Sequence, residues 1–104
     1  VNPYAAHVER VADPHELRWV LNWPELAAAP DGRRVPPASS AIGRLLATRS
    51  IRAVRVLSGD LVVRADAWDS ELTATVHEAV LGDRQHADRW WFETAAAVSV
   101  RRGT

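Results

Sequence analysis

The chain contains no cysteine, which excludes a disulfide scaffold, a thiolate nucleophile, Cys-type zinc fingers and any iron–sulfur cluster held by its own thiolates. It has no lysine either, so all thirteen basic side chains are arginine, and eighteen residues are alanine. GC-rich codon usage produces that bias without selection for phosphate binding. Neither sign of charge is in excess: thirteen acidic residues balance the thirteen basic ones. No overall field therefore draws the molecule to nucleic acid, an anionic membrane or an acidic substrate. No apolar run approaches the roughly 18 to 20 residues that span a bilayer, and the first residues lack the charged start and apolar stretch of a secretory signal. What the chain does have is 104 residues at 47% hydrophobic content, enough for one core. The expectation is a soluble, cytoplasmic, single domain over residues 1–104.

Within it, residues 1–12 carry Pro3 and scattered apolar residues without a period, and read as a lead-in segment. Leu17 to Leu21 is bulky and β-favouring, with Asp13-Pro14 ahead and Asn22 and Pro24 behind, which predicts a strand. Trp23 to Ala29 reads as a short edge strand, where Pro24 is tolerated. Pro30 to Pro37, with three prolines and a glycine, reads as a loop. Ser39 or Ser40 then caps a helix in which Ile42, Leu45 and Leu46 form one stripe, with Gly43 inside it for close packing against a sheet. Ile51 to Leu57 and Leu61 to Ala65 are valine-rich runs joined by Ser58-Gly59-Asp60, a β-hairpin whose Gly59 supplies positive φ. The runs do not alternate cleanly, so either both faces of the hairpin are partly covered or its strands lie centrally in the sheet. Asp66 is placed to cap a second helix carrying Trp68, Leu72, Val76, Ala79 and Val80, which Gly82 closes. Asp83 then caps a third element, a helix or a strand, running through residues 84–100.

In order, Asp13-Pro14-His15-Glu16-Leu17-Arg18-Trp19-Val20-Leu21, Ser39-Ser40-Ala41-Ile42-Gly43-Arg44-Leu45-Leu46, the Ile51 to Val63 hairpin, and Trp68 with Leu72 and Val76 make up a series. That series resembles the N-terminal domain of the NifU-like (Nfu) iron–sulfur scaffold proteins over Asp13 to about Val80. The resemblance implies an α+β fold: a two-layer sandwich, a sheet of about four strands in ββαββα order packed on two helices. Residues 13–82 form this core, and residues 83–104 are a C-terminal extension. The family's cluster-carrying Cys-x-x-Cys domain has no counterpart in these residues. The resemblance therefore implies a recognition module, accessory to iron–sulfur assembly or delivery, that meets a scaffold or client protein and holds no cluster or other cofactor itself. The residues expected at that protein interface are His15, Arg18, Ser40, Arg44, Gly59 and Asp60, with Trp90 and Trp91.

Catalytic patterns are scarce. His77-Glu78 begins like a zinc-protease helix, but position 81 is Leu where the second histidine is needed. The histidines on this helix are expected to be solvent-exposed rather than metal ligands. Ser39 and Ser40 lie outside any Gly-x-Ser-x-Gly elbow and are explained by capping. Asp66, Asp69, Glu71 and Glu78 suit a solvated face, with Asp66 and Asp69 matching a helix N-terminus. Arg44, Arg49, Arg52, Arg55 and Arg64 suit exposed ion pairs rather than a nucleic-acid surface. Trp90-Trp91-Phe92 cannot all face one core, because neighbours in a helix or a strand point in different directions. The segment is the first candidate for self-association or partner anchoring. The alternative to a non-enzymatic binding module is a small enzyme or ligand-binding regulator with a cleft near His15, Ser40 or His77.

Overall fold

The computed structural model describes residues 7–85. In chain order they form β1 (Val8–Arg10), β2 (Glu16–Trp19), α1 (Pro24–Ala27), β3 (Gly32–Arg34), α2 (Ala41–Ala47), β4 (Ala53–Leu57), β5 (Asp60–Arg64) and α3 (Ser70–Gln85). All strand pairs are antiparallel, in one sheet of order β1-β2-β5-β4-β3. The class is α+β as expected, but the sheet has five strands rather than four. The expected ββαββα order is interrupted by β1 at the front and by the single turn α1 between β2 and β3.

The β4–β5 hairpin supplies the central strand of the sheet, β5. Leu57 pairs with Asp60, so the connection is the two residues Ser58 and Gly59 rather than three. Their φ values of 51° and 81° are the paired positive angles of a type I′ turn, whose twist matches that of the strands it joins. Leu17, Trp19, Val54, Val56, Leu61 and Val63 alternate onto one face of the sheet and are buried together with Ile42, Val76, Ala79 and Val80 of α2 and α3. One face is thus covered by helices. Val62, which points to the other face, is also buried, at 1% exposure, as the broken alternation of the runs suggested.

Helix α2 satisfies every orphan donor of its first turn. The Ser40 N–H reaches the Pro37 carbonyl at 3.0 Å, and the Gly43 N–H reaches Ser40 Oγ at 2.9 Å. The two between them go to a distant residue: the Ala41 and Ile42 N–H groups donate to Oδ1 and Oδ2 of Asp83 at 2.8 and 3.0 Å. Those four groups are the ones a helix start leaves unpaired. At the other end, Ser50 N donates to Leu45 O and Arg49 N to Leu46 O, with Arg49 at φ 63°, the paired bonds of a Schellman close. Gly43 is required here, though by a loop rather than by the sheet: a Cβ would overlap the Pro37 carbonyl and lie 2.8 Å from Ser40 Oγ.

Several expectations are corrected. Helix α3 is capped by Asp69, whose Oδ1 accepts from the Leu72 N–H at 2.7 Å; Asp66 instead pairs with Arg52. Gly82 does not close it, because α3 continues to Gln85 with Asp83 inside its last turn and tied to α2. Asp83 therefore starts no third element. Trp23 to Ala29 is not a strand: Pro24 takes the first position of α1, where its missing N–H costs nothing and its fixed φ suits a helix. The proline loop contains β3, three residues paired with β4 between Pro30 and Pro36. The lead-in contains β1, paired with β2 and resting Val8 on the core. Residues 1–6 and 86–104 lie outside the described residues, and with them Trp90, Trp91, Phe92 and the expected C-terminal helix or strand.

Candidate functional site

Among the described residues one face of the sheet carries no helix, and it is built by the same alternation. Glu9, Arg18, Val62, Arg55 and Arg33 form one row across all five strands. Glu16, Arg64 and Ala53 form the next. Four ion pairs knit this face and its margin. Arg18 Nε meets Asp60 Oδ2 at 2.7 Å and Arg55 meets Glu16 at 3.3 Å. Arg64 meets Asp13, and Arg52 meets Asp66, each at 2.6 Å. The Arg55–Glu16 pair passes over β5, since Arg55 lies on β4 and Glu16 on β2. Val62 lies between Arg18 and Arg55 in this row and is buried.

Each exposed pair contributes only about 0 to 1 kcal/mol, so the array's main effect is on pattern rather than on stability. It sets fixed charges in fixed places. The His15 backbone N–H, then the Arg64 side chain, hold the Asp13 carboxyl below its ordinary range. The Arg52 guanidinium does the same for Asp66. Arg52 and Arg64 are in turn held above the usual arginine value by those carboxylates.

The expected interface residues separate on this framework. Arg18 and Asp60 come together as an ion pair on the open face. Gly59 forms the adjoining turn, where a Cβ would lie 3.4 Å from the Ala27 Cα. His15 works as a staple. Its carbonyl accepts from the Ala65 N–H and the Trp68 indole N–H at 2.9 Å each, and its Nδ1 bonds the Asp66 carbonyl at 3.0 Å. A carbonyl only accepts, so that nitrogen carries the proton. Ser40 is buried as the α2 cap, donating to Pro37 O at 2.7 Å. Arg44 is exposed beside Leu45 in a groove of about 400 Å³ between α2 and α3, lined also by Ala41, Thr75, Glu78 and Ala79. Trp90 and Trp91 lie outside the described residues.

His77 is not the solvent-exposed helix histidine expected. It is 8% exposed, and its Nδ1 accepts from the Trp19 indole N–H at 3.2 Å beneath the sheet. An indole nitrogen only donates, so His77 is neutral at Nδ1. Burial holds its pKa below the ordinary histidine value, with nearby His7 acting in the same direction and Glu78 against it. Among the described residues no hydrogen bond joins any two of His15, Ser40 and His77, and each serves a different junction of the fold. No group of three or more His, Asp or Glu side chains among the described residues is placed to hold a metal ion. No helix among them is long and apolar enough to cross a membrane.

Three residues of consequence were not legible as such in the sequence: Asp83 at the α2 cap, His77 under Trp19, and Arg34. Arg34 is 2% exposed on the helix-covered face of β3, with its Nε and Nη1 lacking an acceptor among the described residues. Only the adjacent prolines hinted that residues 32–34 end at an edge. In comparisons with family models, curated proteins and solved structures, nothing matches this chain.

Proposed function

We propose that this domain is a non-enzymatic protein-interaction module of the cytoplasm, accessory to iron–sulfur cluster assembly or delivery, that holds no cluster of its own. The observation that carries the reading is the ordered motif series, whose members fall in chain order on β2, α2, the β4–β5 hairpin and α3. The Asp13 to Leu21 stretch contains β2, Ser39 to Leu46 contains the α2 cap, Ile51 to Val63 makes the hairpin, and Trp68, Leu72 and Val76 lead into and line α3. The helix-free face of the sheet supports it further. Among the described residues it presents Arg18 and Asp60 beside Glu16 and Arg55 in a charge-patterned plane, which suits recognition of a complementary surface. Trp90 and Trp91 are the aromatic anchors of the proposal, toward the partner or toward a second copy.

The test is anaerobic binding of the purified chain to a purified, cluster-loaded Cys-x-x-Cys NifU-like domain and to an apo-ferredoxin client. Alongside it runs the charge-swapped variant Arg18→Asp with Asp60→Arg. The swap retains opposite charges at the two positions while inverting the pattern, and circular dichroism checks that the swapped chain is folded. Saturable binding by the native chain that the swap weakens tenfold or more is the expected result. No binding to either protein, or binding indifferent to the swap, overturns the reading.

A further inference from the structure

Among the described residues strand β3 ends the sheet, with β4 as its neighbour on one side. An edge strand offers unpaired backbone groups to another extended chain. Here the offer is narrow: Pro30 precedes the strand and Pro36 and Pro37 follow it, and a proline contributes no ladder donor. No long or open-ended pairing can form on this edge, so backbone bonds alone are few, and a side chain must supply the rest of the affinity.

Arg34 is that side chain. It closes the row Leu17, Val63, Val54, Arg34 on the helix-covered face of the sheet. Its Nη2 donates to the Pro30 carbonyl, while Nε and Nη1 have no hydrogen-bond partner among the described residues. The nearby carboxylate of Asp31 has its Oδ1 engaged by the Ser58 N–H at 2.7 Å. Burial presses the guanidinium below its usual pKa, yet arginine stays charged in proteins. A buried cation with unsatisfied donors is costly, and a carboxylate is the acceptor whose planar geometry matches the guanidinium fork.

We infer that β3 is a docking edge for an extended acidic segment of a partner protein, which adds as a sixth strand and places an Asp or Glu directly across from Arg34. A residue paired across an antiparallel ladder brings its Cβ within about 4.5 to 5.5 Å of its opposite number, within easy reach of the long arginine side chain. Main-chain bonds to the edge set the register and the carboxylate sets the specificity, as in other strand-addition complexes. The neighbouring Arg33 projects to the opposite, open face and favours the same sign of charge in the residue beside it. This deepens the interaction reading and rests on it in taking a protein as the occupant.

The experiment uses the full chain and an acetylated, amidated pentapeptide of alternating Val and Thr with a central Asp, against the same peptide with a central Asn. Amide shifts and hydrogen exchange at residues 32–34 are followed by NMR. The Asp peptide is expected to bind at least tenfold more tightly than the Asn peptide and to protect β3 amides from exchange. In Arg34→Met, which keeps a long apolar stem, the chain is expected to remain folded and the preference to disappear. Equal binding of the two peptides, a preference that survives Arg34→Met, or no binding at about 1 mM overturns the inference. Sodium acetate reproducing the same shifts at equal concentration also overturns it, since the edge then contributes nothing. No iron–sulfur protein takes part, so this failure is distinct from failure of the assembly reading.

Discussion

Replacing Asp83 with alanine tests the junction between the two long elements of the helical layer. Its carboxylate is 3% exposed and accepts from two consecutive N–H groups, Ala41 at 2.8 Å and Ile42 at 3.0 Å. Hydrogen bonds to a charged group are worth about 1.5 to 3 kcal/mol each, and removal leaves the donors facing a site where water enters poorly. Relief of the carboxylate's own desolvation offsets part of that. The net expectation is a loss of about 2 to 4 kcal/mol, a large fraction of the stability of a domain this size. At about 4 to 8 °C per kcal/mol the melting temperature falls by roughly 8 to 32 °C. Asp83→Asn retains one acceptor and should lose about half as much. Urea denaturation followed by tryptophan fluorescence reads both. The sign reverses in an isolated peptide of residues 70–85: there an acidic group in the last turn opposes the helix dipole, so Asp83→Ala raises helicity. A loss in the full chain below about 0.5 kcal/mol, the range of ordinary surface changes, or one equal to that of exposed Glu78→Ala, would refute the account of α2 capping from α3.

Gly43→Ala should destabilise by more than about 2 kcal/mol despite alanine's better helix propensity, because the new Cβ overlaps the Pro37 carbonyl; a neutral or stabilising result in thermal melts contradicts that packing. His77 has a folded-state pKa below its unfolded value, so the unfolded chain binds more protons as pH drops. Stability is complete above about pH 6.5 and declines as pH falls below it. The wild-type urea midpoint should therefore fall between pH 7.5 and pH 5 by more than that of His77→Gln; parallel pH profiles would remove the buried neutral histidine from the account.

The parts of this fold that were legible in the sequence are those whose cause is local. Gly59 between valine-rich runs announces a hairpin because a tight turn demands positive φ. Ser40 ahead of Ile42, Leu45 and Leu46 announces α2, and Leu72, Val76, Ala79 and Val80 announce α3, because three- and four-residue spacings line up on one helix face. The misread segments had ambiguous local signals. Pro24 is compatible with an edge strand and with a helix start, and packing of Trp23 and Leu26 into the core accompanies the helix. Strands β1 and β3 have three residues each, too few for a period to show, and exist through pairing with longer neighbours.

By itself, then, the sequence determined a cysteine-free chain of balanced charge with one core, a glycine-turned hairpin and two amphipathic helices. Tertiary structure alone decided what its polar residues do. Asp83 meets the start of α2 from 42 and 41 residues away, and Trp19 meets His77 across 58. Arg18 and Asp60 pair across 42 positions, and Arg34 becomes a buried, partly unsatisfied cation only because β3 lands at the sheet's edge. No spacing rule reaches that far. A charge or a hydrogen-bonding group takes its role from the neighbour that the chain's folding brings to it, and its distance in sequence carries no trace of that neighbour.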